Sequence, residues 1–160
     1  MALSQCFPPL VRADTRVLIL GSLPGQASLQ AVEYYAHPRN QFWRLLGEMI
    51  ALPLPGLPYA QRVACVQAAG IGLWDVVGHA ERRGSLDSDL KRISYNDLNA
   101  LVSTLPHLRL IAFNGQAAAR AQAQIADFGG DMLRLPSSSP AFTLSYANKL
   151  AVWQEIKRYL

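Results

Sequence analysis

The sequence predicts an α/β domain, a three-layer α/β/α sandwich around a mainly parallel, four-stranded sheet, with residues 1–160 forming a single domain. Two observations carry that prediction. Four short apolar runs, 17–20 (VLIL), 70–77 (GIGLWDVV), 108–113 (LRLIAF) and 131–135 (DMLRL), alternate with stretches of helical spacing, the pattern of strands joined by helical crossovers. These runs also empty into turn-forming or polar residues: GSLPG, Asp75, Asn114-Gly115 and PSSSP. Ligands in such sheets sit beyond the carboxyl ends of the strands, so the four segments are expected to converge on one crevice.

The elements follow in order. The first run stops at Gly21, and Pro24 and Gly25 hold the next residues off a helical path. A helix is expected over 41–51, where Phe42, Leu45, Leu46, Met49 and Ile50 recur at helical spacing. LPLPGLP (52–58) breaks it, and a second helix fits 59–69, leading into the strand that ends near Asp75. The polar, glycine-containing segment 78–89 reads as a surface loop. Asn96 is the expected N-cap of a helix over 97–105, its side-chain oxygen accepting a free amide hydrogen of the first turn. Asn114-Gly115 then opens an Ala-rich helix over 116–127, and a closing helix covers 144–159. No internal repeat interrupts this order.

Composition narrows the function classes. With 51% hydrophobic and 16% charged residues the chain is not a disordered one, and no apolar run approaches the ~20 residues of a membrane span. The opening segment MALSQCFPPLVRADTR has no basic stretch followed by an apolar core, so no secretory signal is expected and the cytoplasm is the expected compartment. Cys6 and Cys65 are too few and too far apart for a four-cysteine zinc or iron–sulfur site. They read as ordinary thiols, and neither a metal nor a cofactor is expected. A net charge of +4 and a pI of about 9.3 are compatible with a polyanionic partner such as DNA but do not require one.

The chemistry concentrates in 21–43, GSLPGQASLQAVEYYAHPRNQFW, whose flat rings, amides and cation suit a flat, polar-edged ligand such as a nucleobase. GSLPG lacks the Gly-Lys-Ser/Thr ending of a phosphate-binding loop, and Ser22 directly after Gly21 is misplaced for a nucleophile elbow. In HPRNQFW, Pro38 fixes the backbone before Arg39 and Asn40 while Phe42 and Trp43 anchor the next helix. Asn40 can face the crevice or cap that helix, and the two roles are compatible. Tyr34 and Tyr35 can stack on a base; as neighbours they point apart, one inward and one toward the ligand, with Tyr35 the second choice for the pocket. Asp75 is either a site carboxyl or a strand-end residue that caps or pairs with an arginine, and Asn114 either a site amide or a turn residue. Arg82, Arg83, Lys91 and Arg92 form a loose basic patch on an expected solvated face.

GSLPG after the first strand, YYAHPRNQFW, GLWDVV with RRGSLDSDL, IAFNG and LPSSSPAF resemble the uracil-DNA glycosylase superfamily across nearly the whole chain, and within it the DNA-deoxyinosine (hypoxanthine-DNA) glycosylase branch most closely. The resemblance implies a base-excision enzyme that hydrolyses the N-glycosidic bond of deaminated bases. Mismatch-specific relatives carry GINPG with a catalytic asparagine, where this chain has Leu23; in the deoxyinosine branch the asparagine of HPRN takes that role, which points to Asn40 as the catalytic residue. Gly21, Ser22, Leu23, Pro24, Gly25, Tyr35, His37, Asp75 and Asn114 are then the expected contacts to the base and its leaving group. The loop carrying Ser137, Ser138, Ser139 and Pro140 is expected to press on the DNA backbone in the minor groove, the serines bonding phosphates and Phe142 or Leu144 filling the gap left by the extruded base. No lysine lies in these motifs, which implies a monofunctional hydrolase, and a monomer is expected on DNA. Two other readings stay open: a uracil- or mismatch-specific glycosylase on the same fold, and a non-catalytic module that binds bases or DNA.

Overall fold

The computed structural model describes residues 2–160. Its centre is a parallel sheet of β2 (Val17–Gly21), β3 (Ile71–Asp75), β6 (Leu110–Asn114) and β7 (Asp131–Leu135), in the order β3-β2-β6-β7. These are the four predicted strands; β2, β3 and β6 are covered on both faces, whereas the edge strand β7 exposes Asp131 and Arg134. Every residue of β2 is buried, as is every residue of β6, the continuous apolar signature of a strand sandwiched between layers.

Alternation along β2 divides the interior. Val17 and Ile19 face a core built with α2 (Phe42–Ile50), α3 (Tyr59–Ala68) and α6 (Tyr146–Trp153), where Phe42, Leu45, Leu46, Val66 and Trp153 are buried. Leu18 and Leu20 face the opposite core, with Leu98 from α4 (Leu98–Val102) and Ala118 and Ala119 from α5 (Gln116–Ala119). Side-chain period two on the strand thus fixes which helices lie on which face.

The second core also receives a smaller antiparallel sheet, β1-β4-β5, made of β1 (Ala2–Gln5), β4 (Val77–Arg82) and β5 (Lys91–Tyr95). This corrects the first part of the surface loop expected over 78–89: residues 78–82 are strand, whereas 83–89 are exposed and free of strand. Val77, Ala80 and Arg82 turn inward, whereas His79 is exposed, so one face of β4 is polar enough to mask the strand in the sequence. The basic patch is corrected with it: Arg82 is 1% exposed and belongs to the interior.

Several helix ends also move. Asp97, not Asn96, caps α4, accepting from the Ala100 amide at 3.0 Å, while Asn96 donates its side-chain amide to the Asp75 carbonyl at 2.7 Å. The Ala-rich helix turns to 3-10 geometry at Arg120, and the closing helix does so at Gln154. A short helix not foreseen, α1 (Gln26–Ala31), starts directly after the GSLPG loop and ends at Val32 in the left-handed region.

Candidate active site

Strand order and register place the site. Gly21 pairs with Asp75 across β2–β3, and Leu20 pairs with Phe113 across β2–β6, so Asp75 and Asn114 end their strands on either side of Gly21. Over this edge lies a cavity of about 250 Å³ lined by the loop Gly21 to Gly25, Tyr35, His37, Asn40, Asp75, Asn114 and the serine loop from Ser137 to Pro140. The expected catalytic, base-contact and serine-loop positions therefore meet at one cavity, whereas Phe142 and Leu144 lie outside it.

Ser138 ties three of these segments together. The Asn114 side-chain amide donates to Ser138 Oγ at 2.9 Å, the Ser138 N–H donates to Asn114 Oδ1 at 2.9 Å, and the Gln41 N–H donates to the Ser138 carbonyl at 3.0 Å. Its hydroxyl is therefore not the phosphate contact expected of it; Ser138 is 1% exposed and serves as the knot between β6, the HPRN loop and the serine loop. Beneath the loop the buried Lys149 donates Nζ to the Ser139 carbonyl at 3.2 Å. Gly115 completes the junction: at φ +94 it adopts a conformation that L side chains rarely take. Phe142 and Leu144 stand exposed beyond the serine loop, on a groove that also exposes Arg39 and Arg44.

Asn40 stands one residue before the N-cap of α2, which is Gln41, and bonds the first amide of the helix from there. Its Oδ1 accepts the Phe42 N–H at 3.0 Å, at the start of α2, and the residue lines the cavity. An amide oxygen has a second lone pair, and its NH₂ is free of this bond. Phe42 in turn is fully buried and stacks on Tyr35, with ring centroids 3.7 Å apart and planes at 7°. Tyr34 is the inward member of the pair, its hydroxyl donating to the Pro8 carbonyl at 3.1 Å, although it too touches the cavity wall. Tyr35 is held in the left-handed region at φ 55, which aims it at the floor. A Cβ on Gly21 would lie 2.8 Å from the Tyr35 hydroxyl and 2.6 Å from Asp75 Oδ1. Only glycine lets the three meet.

Asp75 has neither of the partners foreseen for an ordinary strand-end carboxylate. It is 3% exposed, no salt bridge among the described residues reaches it, and its Oδ2 is buried without a hydrogen-bond partner. Burial, and then the negative charge of Asp87, push its carboxyl up to about 7, with Arg82 pulling the other way. Burial and the Asp75 charge likewise drive the Tyr35 hydroxyl far above the usual phenol range. Near neutral pH Asp75 is thus balanced between its neutral and ionised forms, while the Tyr35 hydroxyl stays neutral.

Sequence reasoning assigned no site role to the wall opposite. Ser85, Leu86 and Asp87 close the cavity by clasping the first loop: Ser22 Oγ donates to Asp87 Oδ1 at 2.6 Å, and the Gln26 N–H donates to Ser85 Oγ at 2.8 Å. Arg82 donates to the Pro24 carbonyl from inside, while its Nε and Nη1 have no partner. The signal was available in RRGSLDSD, a cluster of short hydroxyl and carboxyl side chains suited to holding loop amides and hydroxyls. Among the described residues no group of three or more His, Cys, Asp or Glu is placed to hold a metal, and no helix is long and apolar enough to cross a membrane.

This strand-end cavity lies within a chain that matches the family model for the uracil DNA glycosylase superfamily over residues 8–160. The chain belongs to that superfamily. Two relatives carry the name hypoxanthine DNA glycosylase: one from Methanosarcina barkeri, 37% identical over 94% of this chain and 96% of its own, and one from Methanosarcina acetivorans, 37% identical over 96% and 97%. A solution NMR structure of a putative uracil DNA glycosylase from Methanosarcina acetivorans superimposes with a TM-score of 0.89 at 36% identity, covering 98% of each chain. In this member of the superfamily Leu23 is 6% exposed and packs in the second core. The first loop accordingly offers backbone to the cavity and no polar side chain at that position.

Proposed function

We propose that this protein is a monofunctional DNA glycosylase that hydrolyses the N-glycosidic bond of deaminated bases in DNA, hypoxanthine first among them. It acts in the cytoplasm as a monomer, with residues 1–160 as one working domain. The observation that carries this reading is the position of Asn40: in a chain 37% identical to two hypoxanthine DNA glycosylases, the amide absent from the first loop is supplied from the HPRN loop to the same cavity.

The chemistry follows from that placement. A base inside a duplex is extruded before its glycosidic bond can be reached, at a lower cost when it is mispaired. The sugar then passes through an oxocarbenium-like state, so electrophilic that its water needs orientation more than deprotonation. Asn40 is no strong base, but its free lone pair orients the water and its dipole opposes the positive charge. Tyr35 offers a ring wall to the base, Asn114 its remaining amide hydrogen, and the Gly21 to Gly25 backbone a cradle for the departing ring, with His37 at the rim. Ser137, Ser139 and Pro140 present the loop to the DNA backbone, and Phe142 or Leu144 takes the space left in the duplex.

A panel of duplexes containing hypoxanthine, uracil or mismatched normal bases, assayed for abasic product, tests this directly. Hypoxanthine release faster than uracil release is the expected result. Release of uracil alone would move the preference to the pyrimidine, and salt-sensitive DNA binding without abasic product from any lesion would replace the enzyme with a binding module.

A further inference from the structure

Deamination exchanges an exocyclic amino group, a hydrogen-bond donor, for an oxo group, an acceptor. A pocket that selects deaminated bases therefore needs a donor at that position, and an acceptor there would favour the normal base. Asn114 spends one of its two amide hydrogens and an oxygen lone pair on Ser138. Two other polar side chains stand beside Gly21 at the floor, Tyr35 and Asp75; the Tyr35 hydroxyl is a neutral donor, whereas an ionised Asp75 carboxylate would select the wrong bases.

Resting on the glycosylase reading above, we propose that Asp75 is a specificity-determining residue that presents its carboxyl as a neutral acid and donates a hydrogen bond from Oδ1 to the oxo group of the extruded base. The geometry favours that form and that oxygen. Asp75 Oδ2 is buried with no partner, and an unpartnered carbonyl oxygen is tolerated in interiors more readily than an unpartnered donor. The proton therefore rides on Oδ1, the oxygen beside Gly21 and the Tyr35 hydroxyl at the cavity floor.

The surroundings hold the acid neutral from each side. Asp87, beyond β4, adds negative charge; Arg82, on β4, is the one cation acting on the carboxyl and opposes it only in part. Tyr34 and Tyr35, from the loop before HPRN, are both neutral, since burial and the same carboxyl raise them. β2 contributes only the Gly21 backbone, and Asn96 bonds the Asp75 carbonyl rather than its carboxyl.

Single-turnover excision of hypoxanthine and of uracil from defined duplexes, between pH 5.5 and 9, tests the assignment with the wild type, Asp75→Asn and Asp75→Ala. The wild-type rate is expected to fall by roughly tenfold per pH unit above the carboxyl's titration, near pH 7. Asp75→Asn keeps a donor that cannot titrate, so it should retain excision within a few-fold at pH 6 and lose that alkaline fall. Asp75→Ala should lose roughly 10²-fold at pH 6, the scale of one positioned donor, and show no alkaline fall, so that it approaches the wild type at pH 9. An alkaline fall unchanged in Asp75→Asn would overturn the assignment, as would wild-type excision by Asp75→Ala at pH 6. Should Asp75→Ala not fold, the isosteric Asp75→Asn profile decides alone. A wild type that releases no base at any pH overturns the glycosylase reading and this inference with it, whereas an active wild type with an Asp75-independent profile overturns only the inference.

Discussion

Asn114 and Ser138 hold each other by two reciprocal hydrogen bonds of 2.9 Å, side-chain amide to hydroxyl and backbone amide to side-chain carbonyl. The end of a core strand is thereby latched to the serine loop. Both residues are buried, so removing the latch strands polar groups away from water. Asn114→Ala should cost about 2–4 kcal/mol, the scale of two buried hydrogen bonds with partners left unsatisfied. Urea unfolding measures this, and faster hydrogen exchange at the Ser138 amide should accompany it; an unchanged exchange rate there would argue against the latch.

The catalytic role proposed for Asn40 is separable from its bond to the Phe42 amide. Asn40→Ala should lose about 10²-fold or more in single-turnover excision, the scale of a positioned electrostatic group, and about 1 kcal/mol of stability through the lost bond to the Phe42 amide. Asn40→Ser retains an oxygen able to accept that amide. It should restore the stability and leave excision low, and recovery of both together would remove Asn40 from the chemistry.

Gly21→Ala places a methyl group 2.6 Å from Asp75 Oδ1 and 2.8 Å from the Tyr35 hydroxyl. Overpacking of this kind costs about 1–3 kcal/mol. Because the displaced groups form the cavity floor, excision should fall more steeply than the melting temperature suggests. A variant as active as the wild type would show that the floor is softer than its packing implies.

Arg82→Met should separate function from stability in the other direction. It frees the Pro24 carbonyl, yet it also removes a buried cation with two unpartnered nitrogens, and replacing a poorly compensated buried charge with an apolar side chain of similar size is often neutral or stabilising. Stability within about 1 kcal/mol of wild type is expected, with excision reduced because the first loop is no longer clamped from inside. Severe unfolding of this variant would mean that the guanidinium is better satisfied than its contacts indicate.

The raised Asp75 carboxyl gives a pH dependence whose sign is fixed. Unfolded, the group titrates at roughly 4; folded, it titrates at about 7. Between these values the native state binds more protons than the unfolded state, so stability falls as pH rises through that window, by up to ~1.4 kcal/mol per unit, and levels off above pH 7. Asp75→Asn should erase that fall. Its stability advantage over wild type should be larger at pH 8 than at pH 5 in urea unfolding, and equal differences at the two pH values would contradict the assignment.

What was legible in the sequence was whatever local pattern enforces. β2, β3 and β6 were visible because double-sided burial demands near-continuous apolar runs, β7 because Met132, Leu133 and Leu135 keep it apolar between charged residues, and α2 because Phe42, Leu45, Leu46 and Met49 keep one face apolar. The cavity residues were legible too, since strand ends in a parallel sheet must share one edge. β4 was not, because its outer face carries His79 and Glu81, and its pairing with β1 and β5 is set by residues far away in the chain. The sequence by itself thus determined the sheet, the edge where ligands gather and the placing of the Asn40 amide at that edge. Only the tertiary structure decided that Arg82 is interior, that Ser138 is a knot rather than a phosphate contact, and that Asp75 is buried without an ion pair. The physical reason is range: helical and strand periodicity act over a few residues, whereas burial, charge state and hydrogen-bond satisfaction depend on neighbours that only folding supplies.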